Sequence, residues 1–440
     1  MLSAFARAFR TPDLRKKILF TLGIMALFRL GSHIPAPGID YTLVQACQDA
    51  ATASTNSVLG FANLFSGGAL LQLSIFALGI MPYITAAIIV QLLTVVIPRF
   101  EQLKKEGQAG QTKMTQYTRY LTIGLAVLQS STLVTFARSP ENLFGGTCTT
   151  VMPDEGVPVI LMMVLTMTAG TSLIMWLGEQ ITERGVGNGM SLLIFTAIAA
   201  GFPGSLAVIQ QRSWTTFSIV LALGLVIMTL VVFVEQCQRR IPVQYAKRMI
   251  GRRQYGGTST YIPLKLNMAN VIPIIFASSI LTLPTLIAQF NTPSDGSLPP
   301  QWVTWVNTYI GFGSGETHWV YMALYTAMVI FFTFFYVSVT FNPVDVADNM
   351  KKYGGFIPGI RAGRPTAEYL EYVITRITTV GALYLGILAL IPLIAFNMLG
   401  TSQDFPFGGA SILIIVGVGL QTVKQIESQL QQHDYEGFLR

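Results

Sequence analysis

The chain alternates long apolar runs with shorter polar connectors. Ten runs read as membrane-crossing helices, at roughly 18–34, 74–97, 118–137, 157–178, 190–208, 217–235, 268–290, 319–341, 373–395 and 409–426. A helix needs about 20 predominantly apolar residues to cross the hydrocarbon core. One region breaks the rhythm: GFANLFSGGALLQLSIFALGIMPYITAAIIVQLLTVVI, residues 60–97. It opens with a piece, about 63–73, that is too short to cross and is loosened by Gly67 and Gly68. A run of full length follows from Ser74 to Ile97. A short apolar piece survives at membrane depth only where protein or a water-filled cavity surrounds it. The stretch therefore implies a cavity with something seated in it.

The connectors alternate in basic content. One side carries Arg7, Arg10, Arg15, Lys16 and Lys17, then Arg99, Lys104, Lys105 and Lys113, then Arg184. The same side continues with Arg239, Arg240, Lys247, Arg248, Arg252, Arg253 and Lys265, then Lys351, Lys352, Arg361 and Arg364, and finally Lys424 and Arg440. The other side has Arg138 and Arg212, and its long loops 35–73 and 291–318 have no Lys or Arg. The positive-inside rule places both termini in the cytoplasm. The basic N-terminus with its apolar run superficially matches a secretory signal, but no small-x-small cleavage site follows, so it reads as an uncleaved first helix.

The ten runs divide near 209–216 into two sets of five. An odd number per set gives inverted halves, with a site at their interface near the midplane. Aligning Pro82 with Pro273 sets IMPYITAAII beside VIPIIFASSI, so that Ile84 falls on Ile275, Ala86 on Ala277 and Ala87 on Ser278.

Composition agrees with lipid as the main solvent. Of 440 residues 52% are hydrophobic and only 11% charged, with mean hydropathy +0.55; soluble domains carry about 25% charged residues. Catalytic and ion-coupled membrane sites place ionisable groups at midplane. Here Glu179, Glu183, Glu235, Asp345, Asp348, Glu368 and Glu371 lie in loops or at run ends, as do His33, His318 and His433. Arg29 lies inside the first run and reads as snorkelling to the outer interface. Asp345 and Asp348 in NPVDVADN read as helix-start residues rather than metal ligands. Gly185, Gly187 and Gly189 in TERGVGNGMS lack the spacing and the preceding strand of a phosphate loop and read as a tight turn. The expectation is no enzyme, no metal and no cofactor. Cys47, Cys148 and Cys237 have no metal-ligand spacing. Cys47 and Cys148 share the outer side, where both a disulfide and two inert thiols fit; the thiols are the simpler reading.

Loops 236–267 and 342–372 exceed ordinary connectors. Both are basic and rich in Gly and Tyr: YAKRMIGRRQYGG and KKYGGFIPGIRAGRPTAEY. Positive-inside bias, with contacts to anionic lipids, explains their charge. Their length points to folded protrusions that dock an acidic partner or RNA.

Several long motifs now resemble one family: NLFSGGAL, ALGIMPYITAAIIVQLL, MWLGEQITERGVGNGMS, YAKRMIGRR, NMANVIPIIFASSI, FNPVDVADNMKKYGGFIPGIR and the terminal YEGFLR. They are similar, in order and over the whole chain, to the bacterial SecY family of preprotein translocase subunits. The resemblance implies an all-α polytopic membrane protein of ten transmembrane helices in two inverted five-helix halves around an hourglass pore. The N-terminal half would be 1–208, the hinge loop 209–216 and the C-terminal half 217–440. The pore ring maps onto Ile80, Ile84, Met190, Ile194, Ile275 and Ile414; the family commonly has Ile where Met190 stands. A re-entrant plug helix maps onto about 61–73, with Phe61, Asn63, Leu64, Phe65, Ser66, Gly67, Gly68 and Leu70. Thr85, Gln91, Gln129, Ser278 and Leu283 are candidates to line a lateral gate between spans two and three on one half and seven and eight on the other. Such groups also bridge packed helices without further role. Arg252, Arg253 and Arg361 map onto docking sites for the SecA motor and the ribosome. Further implied partners are SecE, SecG, signal sequences, nascent chains and anionic lipids, with YidC and SecDF as additional associates. The implied location is the bacterial plasma membrane.

Three functions compete on the residues alone: a protein-conducting channel, a secondary transporter with inverted repeats, and a membrane-embedded enzyme or scaffold. The nearly uncharged midplane argues against ion coupling. The lack of a nucleophile, acid pair or His cluster argues against an enzyme.

Overall fold

A computed structural model of the protein describes residues 9–51, 66–138, 151–153, 156–212, 214–245, 248–250, 253–255, 259–291, 299–310, 319–399 and 409–438. The chain is helical, with a small sheet built from two of its loops. Helix α1 is Pro12–Gly31 and α2, on the loop that follows it, is Tyr41–Ala51. Then come α3 (Met81–Val96), α4 (Pro98–Lys105), α5 (Gln108–Arg138), α6 (Val157–Arg184) and α7 (Gly189–Arg212). The second half runs α8 (Trp214–Gln236), α9 (Ile272–Phe290), α10 (Gln301–Tyr309), α11 (Trp319–Thr340), α12 (Pro343–Lys352), α13 (Arg364–Leu399) and α14 (Gly409–Phe438). Among the described residues four helices are long and apolar enough to cross a membrane alone, Val157–Arg184, Phe217–Gln236, Trp319–Lys352 and Arg364–Ile391. The bent pair α3–α4 makes a fifth.

The run expected as one helix over 74–97 is shorter. The helix starts only at Met81, and residues 67–79 run in turns. Leu73 (φ +47°) and Gly79 (φ +55°) are left-handed, a conformation an α-helix cannot absorb. Pro82 then sits in the first turn, where its fixed φ favours a helix start. At the other end Ile97 is extended (φ −108°, ψ 114°), as the residue before Pro98 is pushed to be. The α3–α4 pair bends there by 101°. The expected hinge loop 209–216 is also tighter than its boundaries: α7 continues to Arg212 and α8 begins at Trp214.

Within the N-terminal half α3 packs on α5, α5 on α6, and α6 on α1 and α7. Within the C-terminal half α9 packs on α11, α11 on α13, and α14 on α8 and α13. Between the two sets, among the described residues, α7 packs against α8 and α14, and α3 against α9.

The two basic loops form one body. Strands β1 (Gln238–Tyr245) and β4 (Ser259–Lys265) pair antiparallel, with Ile241 opposite Ile262 and Val243 opposite Thr260. Strand β5 (Gly355–Phe356) of the second loop adds to the other edge of β1. A separate hairpin joins β2 (Arg248–Ile250) to β3 (Arg253–Tyr255). Ile241, Val243 and Leu264 are buried with Met350 and Ile357. The alternation of buried and exposed residues along β1 is what a sheet with one covered face requires. Across this pair Arg240 lies over the Tyr261 ring, 4.9 Å from its centroid.

Candidate pore and its seals

Where the halves meet, aliphatic side chains converge. Ile80, Ile194 and Ile414 are buried in one cluster with Ile24 and Phe28 of α1 and Ile174 and Leu177 of α6. Ile84 and Met190 pack against it. Ile275 belongs to the neighbouring core of the C-terminal half, and Ile84 packs against that core too. Ile84, Phe202 and Val271 each pack against both clusters.

Local geometry explains how these residues are aimed. Ile80 is the N-cap of α3 and Ile84 lies one turn on, so both project from the start of the same helix. Met190 and Ile194 follow the glycine turn at 185–189. Asn188 Oδ1 accepts from the Met190 amide at 3.2 Å, and Thr182 Oγ1 accepts from the Gly189 amide at 2.9 Å. Gly189 lies so close to the Gly178 carbonyl that no Cβ fits, and Gly187 has φ +92°. The three glycines serve a tight turn that starts α7.

The segment expected as a plug is described from Ser66 onward; Phe61, Asn63, Leu64 and Phe65 lie outside the described residues. Gly67 and Gly68 are left-handed, with φ +68° and +90°. Ser66 Oγ accepts from the Leu70 amide at 3.0 Å. Leu70 and Leu73 are buried in a second cluster with Val44, Cys47, Val151 and Met167. The chain is pinned beyond it by Ala36 N donating to the Leu73 carbonyl (3.0 Å) and Ile75 N to that of Ile34 (2.9 Å). Phe76 stacks on Phe28 at 5.9 Å between centroids.

Two expectations change here. Arg29 does not snorkel outward: its Nη1 donates to the Gly67 carbonyl at 2.5 Å. Cys47 is not an inert thiol but is disulfide-bonded, while Cys237 is free. Cys148 lies outside the described residues.

The seam between α3 and α9 is apolar. Ile88 is buried in the core of the C-terminal half, and Leu92 packs against it. Of the polar gate candidates, Thr85 and Gln91 are on α3, Ser278 is on α9 and Gln129 is on α5. The Thr85 hydroxyl donates to the Met81 carbonyl (2.9 Å) and that of Ser278 to Ile275 (2.9 Å), each within its own helix. Gln91 and Gln129 are half-buried on α3 and α5. Leu283 lies on α9, and its side chain is outside what the structure describes. Ile88 and Leu92 were missed because nothing in a uniformly apolar helix marks the residues that meet a partner. Beyond the C-terminal end of α3, Lys104 Nζ reaches across to the Val339 carbonyl at 3.3 Å.

Of the docking candidates, two are among the described residues, and neither is on the joint sheet. Arg253 is on β3, with its side chain not described, and Arg252 lies outside the described residues. Arg361 is exposed just before α13, and its carbonyl accepts from Thr366 Oγ1 at 2.8 Å. Asp345 lies in the first turn of α12, where its carboxylate accepts from the Asn342 amide (2.8 Å), and Asn342 Oδ1 accepts from the Val344 amide. The bond from Val344 caps the helix, and the one from the Asn342 side-chain Nδ2 to Asp345 orients that cap. Among the described residues no group of three or more potential ligands could hold a metal.

Residues 74–423 match the SecY family model. The chain is 62% identical over 447 residues to the protein translocase subunit SecY of Streptomyces scabiei, covering 100% of both. The chain belongs to the SecY family. It also superposes on the solved structure described as "The structure of a protein conducting channel" with TM-score 0.59 and 17% identity, covering 94% of this chain and 91% of that one. The channel in the canine ribosome–channel complex from the endoplasmic reticulum gives TM-score 0.56 at 16% identity, with coverage of 94% and 91%. At these identities the structural likeness speaks for the fold. SecY membership makes the chain a multi-pass protein of the bacterial membrane, which its uncovered apolar helices require.

Proposed function

We propose that the chain is the central subunit of a protein-conducting channel in the bacterial plasma membrane and carries no enzymatic activity of its own. Unfolded preproteins pass along its axis, and apolar segments leave sideways into lipid. The observation that carries this reading is the apolar convergence of Ile80, Ile84, Met190, Ile194 and Ile414 beside Ile275, where the two halves meet. A pore for unfolded polypeptide must admit every side chain and bind none strongly. Aliphatic walls offer no hydrogen bond to trap the substrate, and they exclude water when closed. Ten spans in two inverted sets of five, with both termini cytoplasmic, supply the frame. The segment from 61 to 73 is the plug on the outer side.

The seam between α3 and α9 is the lateral gate, with Thr85, Gln91, Gln129, Ser278 and Leu283 at its margins. A passing segment of a dozen Leu-like residues gains roughly 4–7 kcal/mol in lipid, at about 0.3–0.6 each, while one central charge costs about 3. Partitioning alone can then sort membrane helices from secreted chain. SecE and SecG brace the subunit. The SecA motor or the ribosome, docked through Arg252, Arg253 and Arg361, supplies the energy.

The test is to place a photoreactive residue at Ile80, Ile84 or Ile275 and arrest a nascent secretory chain in the channel. Crosslinks to the arrested chain are expected at all three. Their absence, with crosslinks obtained only from lipid-facing controls such as Leu165, would overturn the pore assignment; Leu165 is 67% exposed.

A further inference from the structure

We propose that Arg29 is a latch that holds the plug in its seat, through the hydrogen bond from its guanidinium to the Gly67 carbonyl. This rests on the reading of residues 61–73 as the plug. Arg29 stands in the last turn of α1, with apolar Leu27, Phe28 and Leu30 around it. A charged side chain there would ordinarily extend to water. It instead turns inward and is half-buried, with Nη1 2.5 Å from Gly67 O. Among the described residues no carboxylate pairs with it, so the main-chain carbonyl is its recorded acceptor.

The acceptor side is shaped for this contact. Gly67 and Gly68 take consecutive left-handed conformations, which turn their carbonyls out of any helical ladder. A Cβ at Gly67 would come within 3.0 Å of Ala197 Cα, 3.1 Å of Ala197 O and 3.2 Å of Arg29 Nη1. Gly67 therefore lies between the α7 backbone and the guanidinium, close to the ring residue Ile194. The donor side is stiff. Phe28 stacks on Phe76, Gly31 leaves no room for a Cβ against the Phe76 ring, and Ser32 Oγ donates to the Arg29 carbonyl at 2.7 Å. A rigid arm grips one carbonyl of the plug, and when the plug leaves, the guanidinium is returned to water in the outer funnel. A hydrogen bond from a charged donor to a neutral acceptor then biases the seated state by roughly ten- to hundredfold.

The experiment uses the complete channel complex in proteoliposomes. Ser66→Cys, at a position 1% exposed, is labelled from the outer side with a membrane-impermeant maleimide, against the same protein without that cysteine. Resting ion conductance is recorded in parallel, beside a deletion of residues 61–68. Arg29→Met is expected to raise the labelling rate roughly ten- to hundredfold and to move conductance toward that of the deletion. Arg29→Lys, which keeps the charge and a donor, should restore part of the protection. Gly67→Ala, which crowds the same contact from the plug side, should weaken protection even where Arg29→Met fails to assemble. Parental labelling in both Arg29→Met and Gly67→Ala, with the deletion still raising conductance, overturns the latch and leaves the plug standing. A deletion that leaves conductance flat overturns the plug, and the latch with it.

Discussion

Replacing Ile275 with Asn puts the proposed seal to a quantitative test. Ile275 is 4% exposed and lies in the first turn of α9, in the core against which Ile84 packs from the other half. Burying an Ile side chain is worth roughly 1.5–3 kcal/mol. An amide left there without a partner costs a further 1–3 kcal/mol or so. Both penalties fall on the closed, dry state, because a wetted constriction solvates the amide. Counting only about 2 kcal/mol shifts the ratio of closed to open by roughly 30-fold. Resting conductance of reconstituted channels should rise accordingly, and substrates with defective signal sequences should be admitted more often. Ile275→Leu keeps volume and apolarity and is expected to leave both readouts unchanged. An Asn variant that assembles normally yet leaks and discriminates like the parent would refute the reasoning.

Three further outcomes are expected. Arg361→Glu reverses an exposed charge before α13 and should stop motor-driven translocation in a reconstituted assay while leaving assembly intact; normal transport would remove Arg361 from the docking surface. Gly187→Ala forces a Cβ into φ +92° and to within 2.8 Å of Leu192 Cδ1, which should cost about 1–2 kcal/mol; an unchanged unfolding midpoint in detergent would show that the turn relaxes freely. Arg119 holds Glu179 with two hydrogen bonds of 2.8 Å, joining α5 to α6. With Arg119 38% and Glu179 18% exposed, screening leaves about 1 kcal/mol for the pair. Arg119→Ala and Glu179→Gln should therefore be non-additive in a double-mutant cycle, and full additivity would deny the coupling.

What the sequence determined by itself is local. Apolar runs, caps and basic connectors are properties of neighbouring residues and of the solvent they meet, so each of the ten runs overlaps a helix and the basic loops carry the strands. Pro98 after Ile97 and Pro343 after Asn342 mark a bend and a helix start through steric effects confined to adjacent residues. The ring candidates were a different case. Ile194 and Ile414 look like any other aliphatic residue of their helices, and only the family resemblance singled them out. Tertiary structure decided the rest. The left-handed turns at Leu73 and Gly79 come from the pinning of residues 66–76 against α1 and residues 34–36, and they delay α3 to Met81. The pairing of β1 with both β4 and β5 spans more than a hundred residues for its second partner, and no period within one loop can encode it. Arg29 turned inward rather than to water because the fold brings a free carbonyl to it from 38 residues away. Hydrophobic patterning reports which residues leave water; which residues they meet depends on chain segments that only packing brings together.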